Sequence, residues 1–205
     1  MAASTKAVQP NVVQPVEAPK PGARASFTRM DQSTRDEWYT IGRATVDIQA
    51  NVAERMLHML RSFDDLYVGF RVSQLHHALQ TATMARRASA PDEIVLAALC
   101  HDVGKYVSIA NHAAIAAEML RPYVSDDTYK IVLTHQDFQG RHYFEHFGKS
   151  GALREKHRGE PWFSLAERFT DEWDQAAFDP AYKVLPLREF EPLVRQAFAR
   201  YPMGF

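Results

Sequence analysis

The sequence predicts an all-α fold. Apolar residues recur at helical spacing in several segments, and residues that cap or break helices stand between those segments. No alternating pattern typical of a β-strand extends beyond a few residues, and no segment of the chain repeats another. These observations together predict helices joined by turns, without a sheet.

Each predicted helix rests on its own pattern of apolar residues. The predicted helices, in chain order, cover residues 34–61, 73–87, 92–101, 112–120, 126–138, 164–173 and 188–200. The first five begin at residues that favour a helix N-terminus, namely Asp31 or Ser33, then Ser73, Pro91, Asn111 and Ser125. The sixth leads to Asp174, and the last is amphipathic. The segment Gln139–Arg158 is polar and irregular, and we expect it to fold over a site as a lid.

Length and composition predict one globular domain. The chain has 205 residues, of which 46% are hydrophobic and 24% charged. Residues 1–26 are proline-containing and lack periodicity, which predicts a disordered leader before a single catalytic domain over residues 27–205. The net charge of −1 does not favour nucleic acid or a membrane as the main partner. The oligomeric state is left open.

The single cysteine and the longest apolar run indicate in which cellular compartment the protein is expected. Cys100 has no second cysteine with which to form an internal disulfide, and it lies in the apolar run Ile94–Cys100. That run is too short to cross a bilayer. The first residues lack the apolar core of a secretory signal. We therefore expect a cytoplasmic protein.

Six metal-binding side chains follow one another along the middle of the chain, in the order His77, His101, Asp102, His112, His135 and Asp174. A lone histidine on a helix is usually a surface residue or a hydrogen-bonded core residue, so the joint pattern carries the prediction. Asp102 follows the apolar residues AALC, where an unpaired charge would be costly. Nitrogen and oxygen ligands without thiolates suit iron, manganese or zinc. The sequence therefore predicts a metal site formed by these side chains.

The motif LCHDVGK resembles the HD superfamily, a group of helical, metal-dependent proteins named for the His-Asp doublet. Most members are phosphohydrolases with a set of two histidines and two aspartates. The segments QLHHALQTATMA, VLAALCHDVGKY and NHAAIAAEML, together with Trp173-Asp174, are more similar to the mixed-valent diiron oxygenases that cleave 1-hydroxyphosphonates. This resemblance spans about residues 66–186. It implies an HD helical bundle with a dinuclear metal site in its core.

The resemblance also implies a role for each ligand. His77, His101, Asp102 and Asp174 form the shared set, Asp102 bridges the two ions, and His112 and His135 complete the second position. His76 competes with His77, and the family pattern Q-L-x-H-x-L-Q selects His77. A tyrosine ten residues before the first ligand, in a Y-x-G context, occupies an iron position in those oxygenases until substrate displaces it. Tyr67 matches it, although a turn tyrosine that packs on the core is the alternative.

Several substrate contacts of the aminophosphonate enzymes differ in this chain. Phe70 replaces the glutamate that holds a substrate ammonium, which favours a quaternary ammonium held by cation–π contact, or no amine at all. Lys105 replaces a common histidine and suits an anion, unless it is only a solvated lysine at a helix end. The lysine that follows the fourth histidine and grips phosphonate in those enzymes is not at the same offset here. Gln139 stands at its spacing, and Arg141, with His142 beside it, is the nearest substitute. Asp171 replaces an arginine of those enzymes.

Three functions are compared. The first is a non-haem oxygenase with two iron ions, mixed-valent Fe(II)/Fe(III), and O2 as co-substrate, which cleaves a small hydroxylated anionic substrate. Its predicted residues are the six ligands, Tyr67 as a displaceable gate, and Lys105 and Arg141 as anion binders. The second is an HD phosphohydrolase, in which metal-bound water attacks a phosphate ester. The third is a metal-holding or signalling module without catalysis.

Overall fold

The computed structural model describes residue 20 and residues 22–199, and every regular element in this part of the chain is helical. The prediction of an all-α fold is therefore confirmed over the described residues. The α-helices are α1 (Arg35–Gln49), α2 (Val52–Ser62), α3 (Gln74–Arg87), α4 (Asp92–Cys100), α5 (His112–Leu120), α6 (Asp126–Gln139), α7 (Phe163–Arg168) and α8 (Glu191–Phe198). A π-helix, Phe169–Asp174, follows α7, and short 3-10 helices occupy several connections. Most of the predicted leader, and Arg200 at the end of the last predicted helix, lie outside the described residues.

The described residues form two compact units, one that ends at Gln49 and one that begins at Ala50. In the first unit, α1 begins with a capping box. The Glu37 carboxylate accepts hydrogen bonds from the backbone N–H and the hydroxyl of Thr34, each at 2.9 Å. The predicted caps, Asp31 and Ser33, are wrong because a 3-10 helix over Met30–Gln32 precedes α1. The single domain over residues 27–205 stays a prediction.

The prediction of one long helix over residues 34–61 is wrong, because α1 and α2 are separate helices. The helical backbone is interrupted at Ala50 and Asn51, and Asn51 takes the N-cap position of α2. Asparagine favours such positions because its side chain competes with helical backbone hydrogen bonds. The apolar spacing continued across the interruption, which concealed it in the sequence.

The core of the second unit surrounds α4. Every residue from Ile94 to Cys100 is buried, as expected for a helix that is apolar on all sides. Helix α3 packs against α4, α5 packs against α6, and α2 packs against α8. The end of α4 therefore delivers the next two residues, His101 and Asp102, into the interior.

Two predicted caps are confirmed where helices approach this core. The Ser73 hydroxyl accepts a hydrogen bond from the backbone N–H of His76 at 3.2 Å, and the Ser125 hydroxyl accepts one from Thr128 at 3.3 Å. They fix the starts of α3 and α6, the helices that carry His77 and His135.

The polar segment after α6 is more regular than its sequence predicts. Three 3-10 helices occupy it: Gly140–His142, Phe144–Phe147 and Leu153–His157. Among the described residues, no helix combines the length and apolar character needed to cross a membrane.

Candidate metal centre

The side chains predicted as ligands lie together inside the second unit. All are buried, and they come from α3, the end of α4, the start of α5, the middle of α6 and the end of the π-helix: His77, His101, Asp102, His112, His135 and Asp174. Ligand atoms of His77, His101 and Asp174 lie within 4.8 Å of one another, and so do those of His101, Asp102 and His135. His77, not His76, directs its ring into this cluster.

The π-helix determines where the last carboxylate lies. The backbone N–H of Gln175 donates to the carbonyl of Thr170 at 3.0 Å, which is the five-residue spacing of a π-turn. Trp173 and Asp174 are both buried as a result. The sequence predicted an ordinary helix to Trp173, whereas α7 ends at Arg168 and the wider turn follows it.

Gly104 allows α5 to approach the His-Asp doublet. A Cβ atom at this position would overlap the backbone carbonyl and Cα of His112. The glycine of the HDVG motif therefore brings the first residue of α5 against the end of α4. This close approach places the His112 ring beside Asp102.

Substituting Gly104 by alanine should destabilise the protein, because the backbone of His112 must move away. We expect a loss of about 1–3 kcal/mol in the free energy of unfolding, measured with urea, together with weaker metal retention. Gly42→Ala is the control, because a Cβ at Gly42 meets nothing within 4 Å and a helical alanine is favoured. A Gly104→Ala protein as stable as the wild type would contradict the role given to this contact.

Every ring in the cluster is oriented by a backbone carbonyl. The Nδ1 atoms of His101, His112 and His135 lie 3.0, 2.8 and 2.7 Å from the carbonyl oxygen three residues earlier in each case. Nδ1 of His77 lies 3.1 Å from the carbonyl oxygen of Ala177. A carbonyl only accepts, so each Nδ1 carries a proton, and each Nε2 is the ring nitrogen that faces the cluster. Metal-binding histidines are held in this way.

The cluster has two halves that share Asp102. Its Oδ2 lies 3.6 Å from Nε2 of both His77 and His101, and its Oδ1 lies 3.1 Å from His112 and 3.7 Å from His135. Asp174 belongs to the first half, where its Oδ1 lies 3.2 Å from His77 and 3.4 Å from His101. The first half therefore offers four ligand groups and the second half three.

The electrostatics of the cluster fit a cation. Oδ1 of Asp102 is buried and has no hydrogen-bond partner among the described residues, so an acceptor is left for a positive ion. Burial alone would lower the pKa of His101, but Asp102 and Asp174 outweigh it and raise that pKa to about 9. Burial raises the pKa of Asp174, yet His101 and His77 hold it well below its ordinary value. The donor set and its charge therefore suit metal ions.

Lys105 lies against the shared carboxylate. Its Nζ donates hydrogen bonds to Oδ2 of Asp102 at 2.5 Å and to Oε1 of Gln74 at 2.7 Å. The ammonium is thus part of the cluster's edge rather than a solvated lysine at a helix end. Gln74 is fully buried, and sequence reasoning did not single it out.

Tyr67 and Phe70 lie in a tight turn at the surface. The backbone N–H of Phe70 donates to the carbonyl of Tyr67 at 2.9 Å, with Val68 and Gly69 between them at φ 47° and 83°. A β-branched residue in this left-handed region is strained. Tyr67 is 52% exposed, and within the described part of the chain it has neither a hydrogen bond nor a ring contact with the cluster.

An aromatic column connects this turn to the cluster. The Phe70 ring, 45% exposed, stacks on Phe178 with centroids 4.6 Å apart, and Phe178 stacks on His77 at 4.5 Å. Sequence reasoning missed Phe178. An aromatic residue four positions after a predicted ligand is the signal that could have identified it.

The remaining predicted residues meet the π-helix. Gln139 donates through Nε2 to both carboxylate oxygens of Asp174 at 3.2 Å. Arg141 lies 3.4 Å from Asp171, and His142 lies 3.1 Å from it. Gln139 is thus hydrogen-bonded to Asp174, one of the predicted metal ligands. Arg141 and His142 instead pair with Asp171, the residue that replaces an arginine of the aminophosphonate enzymes.

Comparison with known proteins agrees with this geometry. A sequence model of the HD domain family matches residues 75–179, about half of the chain. The chain is also similar to a 1-hydroxy-2-(trimethylamino)ethyl phosphonate dioxygenase (glycine-betaine-forming) from Leisingera caerulea, with 42% identity over 48 residues. That similarity covers 23% of this chain and only 24% of the relative. The chain belongs to the HD domain family, and its buried histidines and aspartates form a cluster whose geometry is compatible with a metal site.

Proposed function

We propose that the protein is a metal-dependent HD-domain oxygenase that holds two iron ions and uses O2 to cleave a small hydroxylated anion. The observation that carries this proposal is the position of Asp102, whose two oxygens face different pairs of histidines. One carboxylate between two imidazole pairs suits a dinuclear centre. Two iron ions bound there would supply the chelation of a hydroxylated anion and the redox capacity for O2.

The two halves of the cluster offer unequal numbers of ligands, which supports different roles for the two proposed ions. His77, His101 and Asp174, with one oxygen of Asp102, nearly complete the coordination of one ion. The second ion would have only three protein groups, namely His112, His135 and the other oxygen of Asp102. Its remaining coordination positions would be free for ligands from outside the protein. Lys105, beside Asp102, would hold the charge of an anionic substrate.

We infer a 1-hydroxyphosphonate with a quaternary ammonium as the substrate class. The relative from Leisingera caerulea is named for such a compound. Phe70 presents an exposed ring at the end of the aromatic column, and a ring face attracts a trimethylammonium group without a hydrogen bond. Gln139 and Asp171 differ from the lysine and arginine that grip phosphonate in the aminophosphonate enzymes. The anion grip is therefore assigned to Lys105 and Arg141.

The experiment that tests the proposal combines metal analysis with O2 uptake. Protein purified without oxygen should contain two irons per chain and give a mixed-valent signal in EPR or Mössbauer spectra. It should consume O2 only when a hydroxyphosphonate is present, and release phosphate as it does so. Full turnover by the manganese form under anaerobic conditions would refute the oxygenase.

A phosphohydrolase is the second candidate, and Lys105 favours it. A lysine after the HD glycine, with its ammonium against the shared carboxylate, suits stabilisation of charge on a phosphate ester. Phosphate release from nucleotides without oxygen would support this activity. A panel of nucleotides and hydroxyphosphonates, each assayed with and without O2, separates the two candidates.

Replacing Phe70 by leucine should weaken the binding of a trimethylammonium substrate, because an aliphatic side chain lacks the negative ring face. We expect KM to rise about 2- to 30-fold, with little change in kcat. The matched ligand is hydroxymethylphosphonate, which has no ammonium and whose KM should not change. Equal increases for both compounds would mean that the ring acts by packing on Phe178 rather than by cation recognition.

A further inference from the structure

The carboxamide of Gln74 is buried at the edge of the cluster. Gln74 is the first residue of α3, one helical turn before His77. Its backbone N–H donates to the carbonyl of Leu66 at 2.7 Å, and the residue has no exposed surface. The start of α3 therefore brings a carboxamide into the interior, in addition to a predicted ligand.

Two residues of α3 face two residues that follow α4. Nε2 of His77 lies 3.6 Å from Oδ2 of Asp102, and one turn away Oε1 of Gln74 accepts a hydrogen bond from Nζ of Lys105 at 2.7 Å. Lys105 also donates to Oδ2 of Asp102, and its side chain is only 13% exposed. The ammonium therefore lies between the Gln74 carboxamide and the carboxylate that the two halves of the cluster share.

The ammonium determines which end of the carboxamide faces it. An ammonium only donates, so the atom that meets it must be the carboxamide oxygen. The other end, Nε2, is buried and has no hydrogen-bond partner among the described residues. Within this part of the chain, the side chain of Gln74 is therefore hydrogen-bonded to Lys105 alone.

A second buried glutamine of α3 provides a contrast. Gln80 donates through Nε2 to the carbonyl of Asp179 at 2.8 Å, and its Oε1 accepts a hydrogen bond from the backbone N–H of Asp179 at 3.3 Å. Both ends of that carboxamide are satisfied, as expected of a glutamine that supports the fold. A role in stability alone does not explain Gln74, because a buried donor without a partner lowers the free energy of unfolding.

We propose that Gln74 is a positioning residue, which holds the Lys105 ammonium against Asp102 and thereby strengthens the binding of an anion beside the cluster. An ammonium carries three protons, of which Gln74 and Asp102 accept two, so one remains for an anionic ligand. A lysine side chain has much rotamer freedom, so loss of the Gln74 acceptor allows the ammonium to leave this place. The ligand class is a tetrahedral oxyanion, a phosphonate or a phosphate. That ligand rests on the proposed function, whereas the placement of the ammonium does not.

The first test measures the placement of the ammonium in the full-length protein without any ligand. Gln74→Met removes the acceptor and keeps a side chain of similar length. Lys105 of this variant should react with a lysine-methylating reagent about 3- to 10-fold faster than in the wild type, measured by mass spectrometry of the labelled peptide. Lys130, exposed on α6, is the control and should react at an unchanged rate.

A conservative variant separates the hydrogen bond from packing. Gln74→Glu keeps an acceptor for the ammonium, so Lys105 should react as slowly as in the wild type or more slowly. Faster labelling of Lys105 in Gln74→Glu, or an unchanged rate in Gln74→Met, would overturn the placement.

The second test asks whether Gln74 acts on an anion through Lys105. Calorimetry gives the dissociation constant of inorganic phosphate for the metal-loaded wild type, Gln74→Met, Lys105→Met and the double variant. Gln74→Met should weaken phosphate binding about tenfold, and it should have no further effect once Lys105 is replaced. Additive losses would indicate two independent effects and contradict the positioning role. Gln196→Met, at an exposed position of α8, is the control and should bind phosphate as the wild type does.

The outcomes distinguish this inference from the proposed oxygenase. Faster labelling and a non-additive cycle support the positioning role even if hydroxyphosphonates cause no O2 uptake, a result that would refute only the oxygenase. O2 uptake together with an unchanged labelling rate in Gln74→Met would refute only the positioning role. Failure of the metal-loaded wild type to bind phosphate would overturn the part of the inference that concerns the anion.

Discussion

Replacing Asp102 by alanine should remove both ions of the proposed dinuclear centre, and not only the activity. Each oxygen of this carboxylate faces a different pair of histidines, so both halves of the cluster lose a ligand together. The remaining buried imidazoles would hold cations without a shared negative charge. We expect metal affinity to fall by at least about 100-fold, measured by elemental analysis after dialysis.

Asp92→Ala provides the matched control for this change. Asp92 is the exposed first residue of α4, the same helix that ends beside Asp102. Its substitution should leave two ions per chain and reduce stability only through the helix dipole, by about 0.3–1 kcal/mol. An Asp102→Ala protein that still binds two ions would contradict the shared role of the carboxylate.

Replacing His112 by alanine should remove one ion and leave the other. The second half of the cluster would keep only His135 and one oxygen of Asp102. The first half would keep all four of its ligand groups, since His112 approaches only Oδ1 of Asp102 and the ring of His135. Metal content should fall from the proposed two ions to about one per chain, and the proposed mixed-valent signal and oxygenase activity should be lost together.

The control for His112→Ala is His58→Ala, which removes an exposed histidine from α2. Its metal content and spectra should match the wild type. If His112→Ala lost both ions, the two halves would depend on each other. If it lost neither, His112 would not be a ligand.

The order and type of the cluster residues could be predicted because each stands beside a clear local signal. His101 and Asp102 follow an apolar run that can only be buried, and His112 begins a helix. Ser73 and Ser125 mark helix starts by a hydrogen bond that depends on neighbouring residues alone. Signals of this kind depend only on neighbouring residues, so they can be predicted from the sequence.

Contacts between distant segments could not be predicted in the same way. Phe178 stacks on His77 across 101 residues, and Gln139 reaches Asp174 across 35. The sequence gives residue types, but the direction of a side chain depends on how helices cross. The π-turn before Asp174 is such a case, because its residues also suit an ordinary helix.

The ion pair between Arg154 and Asp171 is a second kind of contact that could not be predicted from the sequence. In the sequence, Arg154 looks like one more charge in a polar segment, yet it is among the buried residues. Long charged side chains are buried only when paired, and its partners Glu167 and Asp171 lie on separate elements. Arg154 therefore connects the segment Gln139–Arg158, the predicted lid, to α7 and the π-helix. The resemblance did not single this arginine out.

The raised pKa of His101 means that metal and acid compete for one place. Without metal, this imidazole is protonated at neutral pH, although its neighbour His135, whose pKa burial lowers, is not. A cation that binds to His101 must therefore displace a hydrogen ion from it, whereas the lowered pKa of His135 favours the neutral imidazole that binds a metal. Acidification would therefore oppose metal binding at His101, because a hydrogen ion and a cation compete for the same ring nitrogen.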